Sequence, residues 1–96
     1  MIVTIQWFNT YKVFISKLAE WIIPEGVISD CLVRHKARDY GIISMDDWEE
    51  NEEAVRRKEG FVLSRFEFIS PVDDLIEFYV ITYFDKKNTQ IILIEE

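Results

Sequence analysis

Residues 61–94 read FVLSRFEFISPVDDLIEFYVITYFDKKNTQIILI, and this stretch decides the fold. It contains three runs rich in β-branched and aromatic residues, at 61–69, 75–84 and 90–94, which are typical of β-strands. The intervening segments SPVDD and DKKN have the composition of tight turns. Because short turns join neighbouring antiparallel strands, the sequence predicts an antiparallel meander.

The middle run is apolar on both of its faces. One face carries Ile76, Phe78, Val80 and Phe84, and the other carries Tyr79, Ile81 and Tyr83. Strands with this pattern lie centrally in a sheet or are covered on both sides. We therefore expect helices on one face and a partner surface on the other, with a homodimer as one option.

Helical periodicity predicts two helices in the first forty residues. Apolar residues at helical spacing from Tyr11 to Ile22 indicate the first helix, which Pro24 ends. The second carries one stripe formed by Val27, Ile28, Cys31, Leu32 and His35. We expect Gly41 to end the turn that follows.

A third helix is predicted between Ser44 and Gly60. Ser44 and Asp47 form a variant of the capping box, and Gly60 suits the position just after a helix. The expected buried stripe comprises Met45, Trp48, Ala54 and Val55. Glu52–Arg56 and Glu53–Arg57 have the i,i+4 spacing that stabilises an isolated helix by about 0.2–0.5 kcal/mol per pair.

Alternating apolar residues from Met1 to Phe8 predict a first strand, whose place in the sheet the sequence leaves open. The predicted order is β-α-α-α-β-β-β. This is a single α+β domain over 1–96, with three helices packed on an antiparallel sheet of three or four strands. The expected core comprises Trp7, Phe14, Leu18, Leu32, Trp48, Phe78 and Val80.

Composition narrows the class of protein. The chain is 49% hydrophobic and 15% aromatic, which excludes a disordered acidic tail. Its longest mainly apolar run, 78–84, is far shorter than the roughly 20 residues that cross a membrane. Cys31 is the only cysteine, which excludes an intramolecular disulfide and a cysteine zinc cluster. The N-terminus lacks the basic region of a signal peptide, so we expect a cytoplasmic protein. We also expect no cofactor.

Negative charge is concentrated in the third predicted helix. Six of the 18 acidic residues are Asp46, Asp47, Glu49, Glu50, Glu52 and Glu53, and they account for nearly all of the net charge of -7. Net acidity opposes direct binding to nucleic acid or to a membrane. Two interpretations stay open. The helix is either a solvated one that suits its own dipole, or a row of carboxylates that docks on a basic, nucleic-acid-binding surface of another protein.

A few further residues are candidates for chemistry. His35 and Asp39 could form a general base with its orienting carboxylate, with Asn51 or Asp47 orienting a substrate. Cys31 and His35 have the spacing of a metal pair, although two ligands do not make a site. A core thiol and a histidine with satisfied hydrogen bonds at a helix end are the simpler interpretation.

Two segments resemble a group of small bacterial proteins of plasmids, phages and other mobile elements, sometimes labelled type I restriction endonuclease subunit M. The first segment runs from RHKARDYG at 34–41, through Asp47 and Asn51, to EGFVLSRF at 59–66, and the second is FYVITYFDKKNTQIILIEE at 78–96. The chain departs from the group at Tyr83 and Ile94, where Glu and Pro are usual. The resemblance implies a mobile-element setting in a bacterial host cell and no established reaction.

The leading hypothesis is a small non-enzymatic binding protein of a phage or plasmid. It would counter a host defence system, of the CRISPR or restriction type, by docking the acidic helix on a basic groove of a host protein; this step is an analogy with other small acidic proteins in that setting. The alternatives are a small metal-independent enzyme that uses His35 and Asp39, and a homodimeric domain with a housekeeping role.

Overall fold

The computed structural model describes residues 6–94 of the chain. Its strands are β1 (Lys12–Ile15), β2 (Phe61–Ile69), β3 (Leu75–Tyr83) and β4 (Asn88–Leu93), and its helices are α1 (Lys17–Ile22), α2 (Glu25–Lys36) and α3 (Met45–Arg57). The element order confirms the predicted β-α-α-α-β-β-β arrangement of an α+β domain.

The four strands form one sheet in the order β1-β4-β3-β2. β2 and β3 pair antiparallel over their full length, from Phe61 opposite Tyr83 to Ile69 opposite Leu75. β4 pairs antiparallel with β3 and completes the predicted meander. β1 lies parallel to β4 at one edge of the sheet, which decides the position that the sequence left open.

The first described strand does not lie in the segment where a strand was predicted. Residues 1–5 of the predicted strand lie outside the described part of the chain, and Trp7 and Phe8 are not in a strand. The strand lies at Lys12–Ile15, inside the segment predicted to be helical. Tyr11 has a φ of 56°, which is incompatible with a helix that begins there. The helix begins instead after Ser16, whose hydroxyl accepts a hydrogen bond from the backbone N–H of Ala19.

The second helix follows the prediction. α1 ends at Ile22, and Pro24 is the N-cap of α2. Gly41 ends the turn after α2 with a φ of 74°, and a Cβ atom there would lie 2.1 Å from the carbonyl oxygen of Arg65. Only glycine fits this approach of the backbone to the edge of β2.

All three helices pack on the sheet face that carries Phe78 and Val80, both fully buried as predicted. The cluster beneath α1 and α2 comprises Ala19, Ile23, Ile28, Cys31, Phe66, Phe78, Val80 and Ile91. The cluster beneath α3 comprises Phe8, Tyr40, Ala54, Val55, Val62 and Phe84. Leu32 is partly buried and packs against the first cluster.

Four residues of the predicted core are wrong, since Trp7, Phe14, Leu18 and Trp48 are between 43% and 49% exposed. Phe14 belongs to a strand rather than a helix, and strand alternation turns it to the face without helices. Trp48 and Met45 lie on the outer side of α3, because Asn51, Ala54 and Val55 form its buried face. Trp7 instead stacks beneath the guanidinium of Arg38, 4.5 Å from the ring centre.

Candidate functional site

Both ends of the acidic helix α3 are capped. The N-terminal cap is the predicted one, and the C-terminal cap differs from the prediction. Ser44 accepts a hydrogen bond from the backbone N–H of Asp47, and Asp46 and Asp47 lie in the first turn, where the helix dipole favours acids. The last turn carries Arg56 and Arg57. The helix ends at Lys58, which has left-handed backbone dihedrals, and not at the predicted Gly60.

Glu52 faces the protein and is removed from the acidic surface. Its carboxylate accepts a hydrogen bond of 2.8 Å from the hydroxyl of Tyr40 and a bidentate pair from the guanidinium of Arg38. Only 18% of its side chain is exposed. The predicted Glu52–Arg56 pair is replaced by this contact, which ties α3 to the segment after α2.

Glu53 is neutralised within the helix itself. One of its carboxylate oxygens lies 2.5 Å from Arg56 and also 2.5 Å from Arg57, which confirms the predicted Glu53–Arg57 pair. The hydrogen bond from Arg56 is the main cause that lowers the pKa of Glu53. Its charge is therefore largely balanced where it stands.

Asp46, Glu49 and Glu50 remain, exposed on the outer face of α3, and we call them the outer carboxylates. Within residues 6–94, no basic side chain forms an ion pair with any of the three. Asp47 is half-buried beside them. The six acids of the sequence thus divide into three outer carboxylates, one at the base of the helix and two that are already paired.

A groove of about 450 Å³ runs between α3 and the edge strand β2. Asp47, Glu50 and Glu53 line one side, and Phe61 and Leu63 of β2 contribute apolar surface. The groove brings together carboxylates and apolar side chains that are distant in sequence.

Asn51, a candidate for orienting a substrate, instead binds the edge of β2. Its amide nitrogen donates to the carbonyl of Leu63 at 2.7 Å, and its amide oxygen accepts from the backbone N–H of Leu63 at 2.9 Å. The side chain therefore takes the place of a neighbouring strand at this residue. It is 2% exposed, so its role here is to hold α3 on the sheet.

The predicted pairing of His35 with Asp39 does not form. His35 is fully buried, with Nδ1 2.5 Å from the hydroxyl of Ser64 and Nε2 2.9 Å from the hydroxyl of Thr82. Asp39 instead accepts a hydrogen bond of 2.8 Å from the Nε of Arg34, which is the main cause that lowers its pKa. Both ring nitrogens are engaged, which leaves the imidazole no nitrogen for a substrate.

Burial raises the pKa of the Cys31 thiol to about 11, so at neutral pH it is the protonated core thiol that the simpler interpretation predicted. The described residues contain no group of three or more His, Cys, Asp or Glu side chains that could hold a metal ion. Among these residues there is also no helix with the length and apolarity required to cross a bilayer.

Two sets of residues in these contacts were not singled out from the sequence. Arg38 and Tyr40, which bind Glu52, carry no local signal because Glu52 lies 14 and 12 residues further along the chain. Ser64, Thr82 and Thr89 did carry one, since each is a polar residue in the buried phase of a strand. Such residues require internal hydrogen-bond partners.

No family model, curated protein or solved structure matches the chain.

Proposed function

We propose that this protein is a non-enzymatic binding protein that docks the outer face of α3 on a basic surface of another protein. The observation that carries the proposal is the set of three outer carboxylates, Asp46, Glu49 and Glu50. They stand together beside an acidic groove without a basic partner in the described chain.

Charge is distributed in a way that favours recognition by this helix. Without the six acids at 46–53, the chain has 12 acidic residues (18 less six) against 11 basic ones, which nearly cancel. With its own Arg56 and Arg57, α3 carries a net charge of -4 (six acids less two bases), which is more than half of the chain's net charge of -7. A localised field of this kind steers and orients a partner of opposite charge.

The groove between α3 and β2 suggests which basic side chains fit. Lys and Arg lay their aliphatic stems on apolar surface while their charged ends meet carboxylates. Phe61 and Leu63 offer the apolar surface, and Glu50 and Asp47 the carboxylates. A partner groove that is rich in Arg and Lys, as in proteins that bind nucleic acid, has this chemistry.

The biological setting rests on the resemblance to proteins of plasmids and phages. In that setting, blocking the nucleic-acid groove of a host defence protein gives the mobile element an advantage. We propose that the protein counters host defence, of the CRISPR or restriction type, within the bacterial host cell. This part of the proposal is an analogy and depends on the charge pattern for its mechanism.

The test reverses the three outer carboxylates together, as Asp46→Lys, Glu49→Lys and Glu50→Lys. A matched control reverses Glu20, Glu25 and Asp30, three exposed acids of α1 and α2, and changes the net charge equally. In a plaque or interference assay we expect the α3 variant to lose counter-defence activity and the control to keep it. Circular dichroism of both variants checks that they fold.

Two results would overturn the proposal in different ways. Full activity of the α3 variant would show that the helix is only a solvated face. A wild-type protein without activity against CRISPR or restriction would remove the counter-defence role. Binding that does weaken on charge reversal should also weaken steeply as the salt concentration rises.

A further inference from the structure

No described helix covers the face of the sheet opposite Phe78 and Val80. Strand alternation places 15 residues of the four strands on it, and nine of them are apolar or aromatic. The chief ones are Phe14, Leu63, Tyr79, Ile81, Tyr83 and Ile92. We call this surface the open face. From it we infer that two copies of the chain pack face to face as a homodimer.

The pairing register joins these side chains into continuous rows across the sheet. Leu63 lies opposite Ile81, Ile81 opposite Gln90, and Gln90 opposite Phe14. The next row contains Tyr79 opposite Ile92. An apolar centre of this extent is unusual on a surface that faces water only.

Charge on the open face is balanced, which favours a second copy as the occupant. Lys12 and Arg65 are matched by Glu67 and Glu77, and Arg65 donates a hydrogen bond of 2.5 Å to Glu77. The face therefore has no net charge, although the whole chain has a net charge of -7. Two copies that meet through this face do not bring their acidic surfaces together, whereas a strongly charged partner finds no complement here.

The size of the face fits a reversible dimer. The strands have four, nine, nine and six residues. At about 3.3 Å per residue and about 4.8 Å between strands, two such faces bury on the order of 1,000 Å² together. That is the lower limit for a specific interface, so we expect dissociation in the micromolar range. Aligned packing of two sheets about 10 Å apart would make a β-sandwich between two outer layers of helices.

This inference does not use the charges of α3, although Phe61 and Leu63 at the β2 edge of the open face also line the groove of the proposed function. The experiment is sedimentation equilibrium of the full chain between about 1 and about 500 µM in moderate salt. We expect the mean mass to rise from the 11.5 kDa of one chain towards twice that value. A protein that stays monomeric over this range, or one that occupies the face with a different partner, would overturn the inference.

Ile81→Lys places a charge at the centre of the open face and should raise the dimer dissociation constant at least about tenfold. Val33→Lys is the matched control, since it makes a similar change on the exposed side of α2 and should leave dimerisation unchanged. If Ile81→Lys fails to fold, Phe14→Lys serves instead, because Phe14 is 47% exposed on the edge strand. A folded variant that still dimerises as the wild type does would place any dimer contact elsewhere.

Discussion

The Nε2 atom of His35 on α2 lies 2.9 Å from the hydroxyl oxygen of Thr82 on β3, and this contact fixes the tautomer of the imidazole. Thr89 donates its hydroxyl hydrogen to the carbonyl of Thr10, so in the 2.6 Å contact between the two threonines Thr82 must be the donor. The hydroxyl of Thr82 can then only accept from His35. Nε2 therefore carries the hydrogen, and Nδ1 accepts from Ser64.

Acidification should destabilise the fold through His35. Burial, with a smaller contribution from the charge of Lys36, lowers the pKa of His35 from 6.5 to about 3. The unfolded chain binds a proton below about pH 6.5 that the folded chain does not bind until about pH 3. The stability from neutral His35 is complete above about pH 6.5 and falls by about 1.4 kcal/mol per pH unit below it. Urea denaturation between about pH 7.5 and pH 5 measures this slope.

The assignment of that slope is unambiguous because the chain has one histidine. The His35→Gln variant starts from a lower stability at pH 7.5 and should lose the slope above pH 5, where carboxylates titrate little. A wild-type protein whose unfolding free energy is constant from about pH 7 to pH 5 would contradict the neutral, buried histidine.

Removing one hydroxyl from the buried hydrogen-bond network of His35 should lower the stability of the fold. The size of the loss should depend on whether the other hydroxyls are present. Thr82→Val keeps the shape of the side chain but leaves the Nε2–H of His35 without an acceptor, which costs about 1–3 kcal/mol. Thr89→Val should cost less stability in the Thr82→Val protein than in the wild type, since both residues belong to one hydrogen-bond network. The measurement is a double-mutant cycle of unfolding free energies at neutral pH. Strict additivity would show that the hydroxyls act independently.

Asn51 should contribute more to stability than any of the outer carboxylates. Asn51→Ala leaves the backbone N–H and carbonyl of Leu63 without partners and should cost about 1–3 kcal/mol. Glu50→Gln, one residue away on the exposed side of α3, should cost less than about 0.5 kcal/mol. Chemical denaturation of the two variants checks the difference. Equal losses would mean that the edge of β2 does not depend on the Asn51 amide.

Phe78 and Phe61 test which face of the sheet is covered. Phe78 is fully buried, so Phe78→Ala should cost about 3–5 kcal/mol, a large part of the stability of a small domain. Phe61 is 51% exposed on the open face, and Phe61→Ala should cost about 1 kcal/mol. Thermal or urea unfolding of dilute protein compares them. A Phe78→Ala protein as stable as the wild type would reverse the assignment of the two faces.

The elements that the sequence predicted well are those with a strong local pattern. β2 has the predicted bounds of 61–69, and β3 and β4 differ from prediction by one or two residues at their ends. The start of α3 after Ser44 was predictable because the capping contact spans only three residues. In contrast, the segment from Tyr11 to Ile22 contains both helical and alternating spacing. Its first part becomes β1 because β4, more than seventy residues later, offers it an open edge.

The sequence predicted which acidic residues make up the candidate site, but not which of them are paired within the protein. The concentration of acids in α3 is visible in the sequence, but the sequence does not show that Arg38 and Tyr40 bind Glu52. It also does not show that Asn51 turns to the backbone of Leu63. Each of these contacts joins residues at least twelve positions apart, so no periodic pattern within one element predicts it.

The sequence by itself determined the meander, the apolar stripe of α2, the start of α3 and the concentration of charge, because hydrophobic periodicity, turns and caps act over a few residues. Only the tertiary structure decided the partners of His35, which lie 29 and 47 residues away on two strands. It also decided that Phe14 and Ile81 share an open face, since that depends on the order of strands in the sheet. A buried polar group must find its hydrogen bonds wherever the folded chain brings a partner, and local sequence does not specify that place.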